Sequence, residues 1–406
     1  MKRLIIVIIS VCLQLTYAQA ETIKTGVLVV NGNAAGVAAA IQSARSGAKT
    51  ILIESTGKLG AGISKTESAY PAGFYSEFIK QAKAVTKDSL LTHLDEAATT
   101  LVLKSITDTV KNLTVKLNTG ITSVKKNGKG WMVKLANGTY IKTDVMVDAT
   151  ANHHITQLAG ATADSTLTRT QIVAPPFGNE LYRTSVAVGT TNNQPYIIPL
   201  GAQIITNASN LLITGNSAVS TPDAMLTGQA AGASAAFCAF FKKTTKELDV
   251  RMIQGELLNY KSMLVPYADI LPSDTNYFAL QHIGLSGLIP LQYQSNKLLF
   301  MPDSTVTIAD IKPVMKAYYS RSQIWFLDKK DEHQLTLADV LSLIKYSASR
   351  GEELNREVEQ GWKESFAFSS RFDLKKVVTR REFAVLADTY LKPFSRAVNY
   401  KGILIN

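Results

Sequence analysis

Apolar positions in the first half of the chain come in short unbroken runs, and those near the carboxyl end recur at helical spacing. Residues 27–30 (Val-Leu-Val-Val) form one such run, and the small residues of 31–36 and the Ala-rich 37–40 follow it. This order predicts a buried parallel strand, a tight turn and the start of a helix, with Ile51-Leu52-Ile53-Glu54 as the returning strand. Residues 75–111 read as helical, because Leu90, Leu91, Leu94, Ala97, Ala98, Leu101 and Val102 recur three or four apart. Strands are expected at 113–117, 130–135, 139–142, 145–150 and 211–215, with Asn137-Gly138 closing a hairpin. Residues 152–200 are rich in Thr, Asn and Pro, lack periodicity and read as an irregular, substrate-facing region. Residues 227–236 form a helix of small residues.

The first βαβ unit carries the chemistry. A helix start after a parallel strand presents free backbone N–H groups and a positive dipole end, the place where a dinucleotide pyrophosphate sits. Glu54 lies 18 residues beyond Gly36, near where such folds place the acid that accepts a ribose hydroxyl. Asn31 and Asn33 occupy the first two glycine positions of Gly-x-Gly-x-x-Gly. Asparagine tolerates positive φ, whereas a side chain at position 33 adds bulk where a pyrophosphate would approach. A βαβ unit that holds no nucleotide is the other reading of this segment.

Composition sets the compartment. Lys2 and Arg3 precede the apolar run 4–11, and Ala18-Gln19-Ala20 offers small residues for cleavage, so residues 1–20 read as a secretory signal peptide. The expected location is periplasmic or extracellular, with the mature chain starting near Glu21. Cys238 is then the one remaining cysteine, and its apolar helical setting predicts a buried structural thiol. No later segment is expected to be a membrane span, which takes roughly 18 apolar residues. The net charge of +11 comes without basic runs interleaved with aromatics, so nucleic acid is not an expected partner.

In order along the chain, these segments resemble the FAD-dependent oxidoreductases of the glutathione-reductase-like fold. More narrowly, they are similar to the bacterial FAD-dependent oxidoreductase family found in exported proteins. The resemblance spans residues 25–245. It rests on the turn at 30–37 with Glu54, the loop 59–63, and Gly73-Phe74-Tyr75-Ser76-Glu77-Phe78. It continues through Val147-Asp148-Ala149-Thr150-Ala151-Asn152 with Leu158-Ala159-Gly160, then 210–215 and 228–232. It implies an α/β architecture: a Rossmann-like FAD-binding domain with a β-rich insertion over 21–245, then a smaller, mostly helical domain over 246–406.

The implied cofactor is FAD and the implied chemistry is hydride transfer between flavin and a small organic substrate. By that resemblance Gly32, Asn33, Ala35 and Gly36 surround the pyrophosphate, Glu54 holds the adenosine ribose and Ile121 lies near the adenine. Thr150 and Ala151 pass the cofactor at a second crossing, Gly215 and Asn216 approach the ribityl-phosphate side, and Gly228, Gln229 and Ala230 lie near the flavin. The chain departs from the family pattern at Ala151 and Asn152, which stand for glycine and aspartate. It departs again at Pro199-Leu200-Gly201, and at Asn216 and Val219 in place of arginines. His153, beside the second crossing, is the candidate for proton exchange, with a helix-start or surface role as its alternative. Arg183 and Tyr196 are candidates for orienting substrate, or else packing residues. No metal site is expected.

From Lys242 the composition changes and charge rises, and Thr307/Asp310, Thr336/Asp339 and Thr379/Glu382 give three capping-box signatures. Residues 276–289, 300–307 and 378–384 resemble S-layer-homology repeats, which implies a cell-envelope glycan as a partner. A structural helical cap is the plainer reading. The function class that competes with the enzyme is a non-catalytic envelope protein with a degenerate flavoprotein fold and a glycan-binding carboxyl-terminal module.

Overall fold

The computed structural model describes residues 21–64, 68–91, 94–162, 170–171, 180–214 and 220–405. Strand β1 (Thr22–Val30), helix α1 (Ala34–Arg45) and strand β2 (Thr50–Ile53) form the expected start of the fold. Helices α2 (Gly73–Thr86) and α3 (Glu96–Thr107) follow, then strands β3 (Leu113–Lys116), β4 (Ile121–Asn127), β5 (Gly130–Leu135) and β6 (Tyr140–Asp148). The periodicity over 75–111 is thus two helices rather than one. Lys87 ends the first in the left-handed region, and Asp95 caps the second by accepting the Ala98 N–H. The two strands expected at 139–142 and 145–150 are one continuous strand, β6.

Next come the short helix α4 (His154–Leu158), strands β7 (Thr170–Gln171), β8 (Ser185–Thr191), β9 (Gln194–Pro199) and β10 (Leu211–Ile213), and helices α5 (Thr221–Phe241) and α6 (Val250–Asn259). The sheet runs β3-β2-β1-β6, with β10 beside the second half of β6, all parallel, while β5 and β4 add antiparallel to its first half. This is a parallel Rossmann-like core with a β-rich insertion. The sheet's central strands are apolar because both faces are covered: Val27, Val29 and Leu52 face one cluster, Leu28, Ile51 and Met146 the other. The region expected to be irregular holds the β8–β9 hairpin, whose turn is Asn192-Asn193, both at positive φ. That pair is a weaker hairpin signal than Asn-Gly, which is why the sequence hid it.

The remainder is helical: α7 (Tyr277–Ser286), the hairpin β11 (Gln292–Gln294) and β12 (Lys297–Leu299), then α8 (Ile308–Tyr318), α9 (Ser322–Trp325), α10 (Leu337–Ala348), α11 (Glu353–Gly361) and α12 (Arg380–Tyr390). All three expected capping boxes form, at the starts of α8, α10 and α12. The residues just before those helices meet in a triangle of bridges: Thr305 with Thr379, Thr307 with Gln334, and Thr336 with Val377. One apolar cluster runs without a break from Val27 and Leu52 to Leu341 and Phe383, so the helical part shares the core of the sheet.

Asp339 shows what a box contributes. Burial works to raise its pKa, but hydrogen bonds from Thr336, His333 and Lys329 outweigh that and hold the carboxyl well below the usual carboxylate range. Because the folded value is depressed, the stabilisation is complete above the unfolded pKa of about 3.9 and fades as pH falls toward the folded value. Asp339→Asn should therefore melt lower than the parent at neutral pH. The gap should narrow below about pH 4 in thermal melts across pH.

Candidate functional site

The site grows from the turn between β1 and α1. Asn31 sits at φ 89°, the conformation a glycine would supply, and its Oδ1 accepts the Asn33 N–H at 3.2 Å. Gly36 is a steric necessity. A Cβ there would fall far inside contact distance of the Asn31 carbonyl oxygen and would press on Ala149 Cβ at 3.2 Å. Ala35 is buried, and its carbonyl faces helix α5. Asn33 is the N-cap of α1: its Oδ1 accepts the Gly36 N–H at 2.9 Å, while its Nδ2 donates to the Ala149 carbonyl at 2.7 Å. The amino end of the helix is therefore filled by the protein's own carboxamide.

Glu54 ends β2 and is 5% exposed. Its Oε2 accepts the Gly32 N–H at 2.7 Å, and its Oε1 accepts the Thr56 N–H at 2.7 Å and the Ser55 hydroxyl at 3.2 Å. A carboxylate has about four acceptor sites, so one remains. The Thr119 N–H donates to the Glu54 carbonyl at 3.0 Å, which brings the start of β4, and with it Ile121, alongside. The loop after β2 folds over the turn. The Gly60 N–H donates to the Gly32 carbonyl at 2.8 Å, and Leu59 lies against Gly32.

The second crossing is organised by Asp148, fully buried at the end of β6. Its carboxylate accepts four hydrogen bonds, from the backbone and hydroxyl of both Thr150 and Thr156 at 2.5–2.9 Å. The bend thereby holds Thr150 half-buried and Ala151 exposed beside the first turn. Sequence reasoning passed over Asp148; the signal was an acid at the end of an otherwise apolar strand with two threonines close behind. Thr156→Val removes one donor from that carboxylate and should cost about 1–2 kcal/mol in denaturant unfolding.

His153 follows in the left-handed region at φ 52°, and its Nδ1 is buried with no hydrogen-bond partner among the described residues. Thr214 ties the end of β10 to Asp148 through a 3.3 Å backbone bond. Gly215 and Asn216, expected near the ribityl phosphate, lie outside the described residues.

Gly228, Gln229 and Ala230 lie on a longer helix than expected. The helix expected over 227–236 runs from Thr221 to Phe241, capped by Ser220, so they stand two turns inside it. Gly228 and Gly232 admit the backbone of α1, with a Cβ at either colliding with the carbonyls of Ala35 and Ala39. Gln229 accepts the Phe74 N–H at 3.0 Å and donates to Gln42 at 2.9 Å, joining α1, α2 and α5, and Ala230 is fully buried. Small residues here serve a close helix crossing.

Tyr196 and Arg183 are likewise interior residues. The Tyr196 hydroxyl donates to Asp223 at 3.0 Å, and the Arg183 guanidinium donates to the Gly402 carbonyl at 3.2 Å. Burial pushes the Cys238 thiol up to about 12, the behaviour of a structural cysteine.

The site thus gathers Gly32, Asn33, Gly36 and Glu54 with Thr150 and Ala151 and brings Ile121 close. The donors and acceptors present fit the adenosine half of a dinucleotide: a buried carboxylate with a free acceptor position at the end of β2, next to the edge at Ile121. At the pyrophosphate position Asn33 stands in the way, because the Gly36 N–H that would meet a phosphate oxygen already has a partner.

No curated protein matches the chain. Among solved structures it is partly similar to p-nitrophenol 4-monooxygenase PnpA from Pseudomonas putida DLL-E4, at 11% identity over 64% of this chain and 90% of that one, with a TM-score of 0.33. It is also partly similar to bacillithiol disulfide reductase Bdr (YpdA) from Staphylococcus aureus, at 14% identity over 38% and 42% of the two chains and a TM-score of 0.25. For cyclohexanone monooxygenase the values are 16% identity, 32% and 27% coverage and a TM-score of 0.26. The chain spans less than half the length of the last two. Residues 26–166 match the family described as FAD dependent oxidoreductase, and the cofactor this match indicates is FAD.

Proposed function

We propose that this chain is an exported FAD-dependent oxidoreductase that moves a hydride between a small organic substrate and flavin. The observation that carries the reading is the buried Glu54 carboxylate at the end of β2, bonded to Gly32 and keeping one acceptor position for a ribose hydroxyl. Gly36 would offer its backbone N–H to the pyrophosphate once Asn33 turns aside, with Gly32 held beside it by Glu54, and Thr150 and Ala151 would border the second crossing. Bound FAD supplies the hydride chemistry, and the protein supplies position and electrostatics. His153 is the group for holding a proton: its buried Nδ1 beside Thr150, with no hydrogen-bond partner among the described residues, would serve a bound molecule. The apolar leader at 4–11, with Lys2 and Arg3 before it, supports export. Amino-terminal sequencing of the protein made in a bacterial host should then begin near Glu21.

The deciding experiment is a visible spectrum of the protein after incubation with FAD and desalting. Flavin bands that stay with the protein and bleach on reduction are expected; a colourless protein refutes the reading. A second reading, a non-catalytic envelope protein, is favoured by the Asn33 cap and by the triangle of bridges joining the three boxed helices. In that case the colourless protein should sediment with cell-wall material through residues 246–406.

A further inference from the structure

Where β1 begins, the sheet carries one open face. The first halves of β1 and β6 stand there with β5 and β4, and the two sides of these four strands differ. Ile23, Val124, Val133 and Ile141 pack into an apolar cluster on one side. On the other, Lys125 stands opposite Met132, Met132 opposite Lys142 and Lys142 opposite Lys24, with Ser123, Lys134 and Tyr140 in the next row. Residues opposite each other on neighbouring strands share a face. Lys24, Lys125, Lys134 and Lys142 are exposed, and Ser123, Met132 and Tyr140 are half-buried. Strands about 4.8 Å apart put the backbone positions of Lys24 and Lys125 about 14 Å from each other, with Lys134 about 7 Å along β5 from their row.

The face is positive because acids are missing from it. Residues 121–143 contain Lys125, Lys126, Lys129, Lys134 and Lys142 and no acid. Lys126 turns to the other side, where its Nζ lies over the Trp131 ring and donates to the Lys129 and Ser209 carbonyls. Three carboxylates border the region, and each keeps its charge. Asp144 is matched by Lys242 at 2.9 Å, and Glu247 lies in the field of Lys129 and Lys243. Glu21 alone is left against Lys24, Lys125, Lys134 and Lys142, none of which pairs with a carboxylate among the described residues.

Lysines on edge strands keep sheets from pairing with one another. That accounts for Lys125 on β4 and for Lys24, since β1 meets β2 only from Val27 onward. It does not account for Lys134 and Lys142, whose strands are paired on both sides. Lys142 directly opposite Lys24 is moreover a like-charge pair, which costs stability. An anion lying across the strands removes that repulsion. The groups between the lysines indicate its kind. The face carries no arginine to grip phosphates in pairs. It offers bases no open ring to stack on, because Trp131 is buried on the other side and Tyr140 is half-buried near Lys134 Nζ. Its one apolar side chain, Met132, is half-buried and does not stand out to enter a bilayer. Spaced point charges with the Ser123 and Tyr140 hydroxyls among them suit a hydrated chain of sugars bearing carboxylate or sulfate groups.

We infer that the face formed by Lys24, Lys125, Lys134 and Lys142 binds a linear acidic polysaccharide lying across β1, β6, β5 and β4. It stands at the opposite end of β1 from the Gly32–Gly36 turn and outside residues 246–406. Binding there depends neither on FAD nor on the helical part.

The test uses the full chain with fluorescein-labelled heparin fragments, read by anisotropy, and with uncharged dextran as the control. Heparin should bind, and added salt should weaken it by screening; dextran should not bind. Acetylation read by mass spectrometry should show heparin shielding Lys24, Lys125, Lys134 and Lys142 while the exposed Lys330, Lys375 and Lys401 stay reactive. Lys125→Gln with Lys134→Gln and Lys142→Gln should weaken heparin binding about tenfold, as three exposed ion pairs together would. Lys330→Gln with Lys375→Gln and Lys401→Gln removes the same charge elsewhere and should bind as the parent does. The footprint needs no variant, so it decides even where a substitution disturbs the fold. No binding of heparin, an equal loss in both triple variants, or shielding of all seven lysines alike overturns the inference. Tighter binding to single-stranded DNA or to phosphatidylglycerol vesicles than to heparin at the same salt, with the same lysines shielded, overturns it too.

Discussion

Replacing Asn33 by glycine should tighten FAD binding by about one to two orders of magnitude. The Asn33 carboxamide makes two hydrogen bonds, to the Gly36 N–H and the Ala149 carbonyl, and both must break before a phosphate oxygen can take the helix end. Each such bond is worth about 0.5–1.5 kcal/mol net, and 1.4 kcal/mol is about tenfold in affinity. The protein without cofactor should lose about 0.5–1.5 kcal/mol, because glycine at an N-cap costs only about a few tenths of a kcal/mol but the bond to the Ala149 carbonyl is also gone. Titration by quenching of FAD fluorescence, alongside a melt without FAD, separates the two effects. Equal or weaker binding in Asn33→Gly would show that the carboxamide does not compete with the cofactor.

Gly36→Ala should be the most damaging single methyl in the first half of the chain. The added carbon would collide with the Asn31 carbonyl oxygen, a backbone atom that cannot move without undoing the β1–α1 turn. A loss of more than about 4 kcal/mol is expected, the range reached only by strain and overpacking of this kind. Denaturant unfolding measures it. The mechanism differs from a simple block of the cofactor: the variant should be destabilised in the absence of FAD. A variant with parental stability that merely fails to hold FAD would mean that the turn relaxes more readily than its packing implies.

These two positions also mark what the sequence could tell. The order strand, small-residue turn, helix, strand and acid was legible because both faces of the sheet are buried, which leaves unbroken apolar runs at 27–30 and 51–53. The three threonine–acid boxes were legible because capping is local, decided within four residues. The role of Gly228, Gln229 and Ala230 was not: a small-residue stripe looks the same whether a helix lies against a ring or another helix, and only the register of α5 against Ala35 and Ala39 decides. Asn33 was legible as bulk but not as a cap, because its second partner, Ala149, is 116 residues away. The β8–β9 hairpin was hidden by a turn of two asparagines in left-handed conformation.

The triangle formed by Thr305, Thr307, Gln334, Thr336, Val377 and Thr379 has a consequence of its own. In a row of stacked units an end member can fray or be trimmed while its neighbours stand. A closed trio has no end member: every sector is clasped on two sides, and excising any one leaves two orphaned edges. The module should therefore tolerate changes on its outer helices yet lose all three sectors together when a single one is deleted.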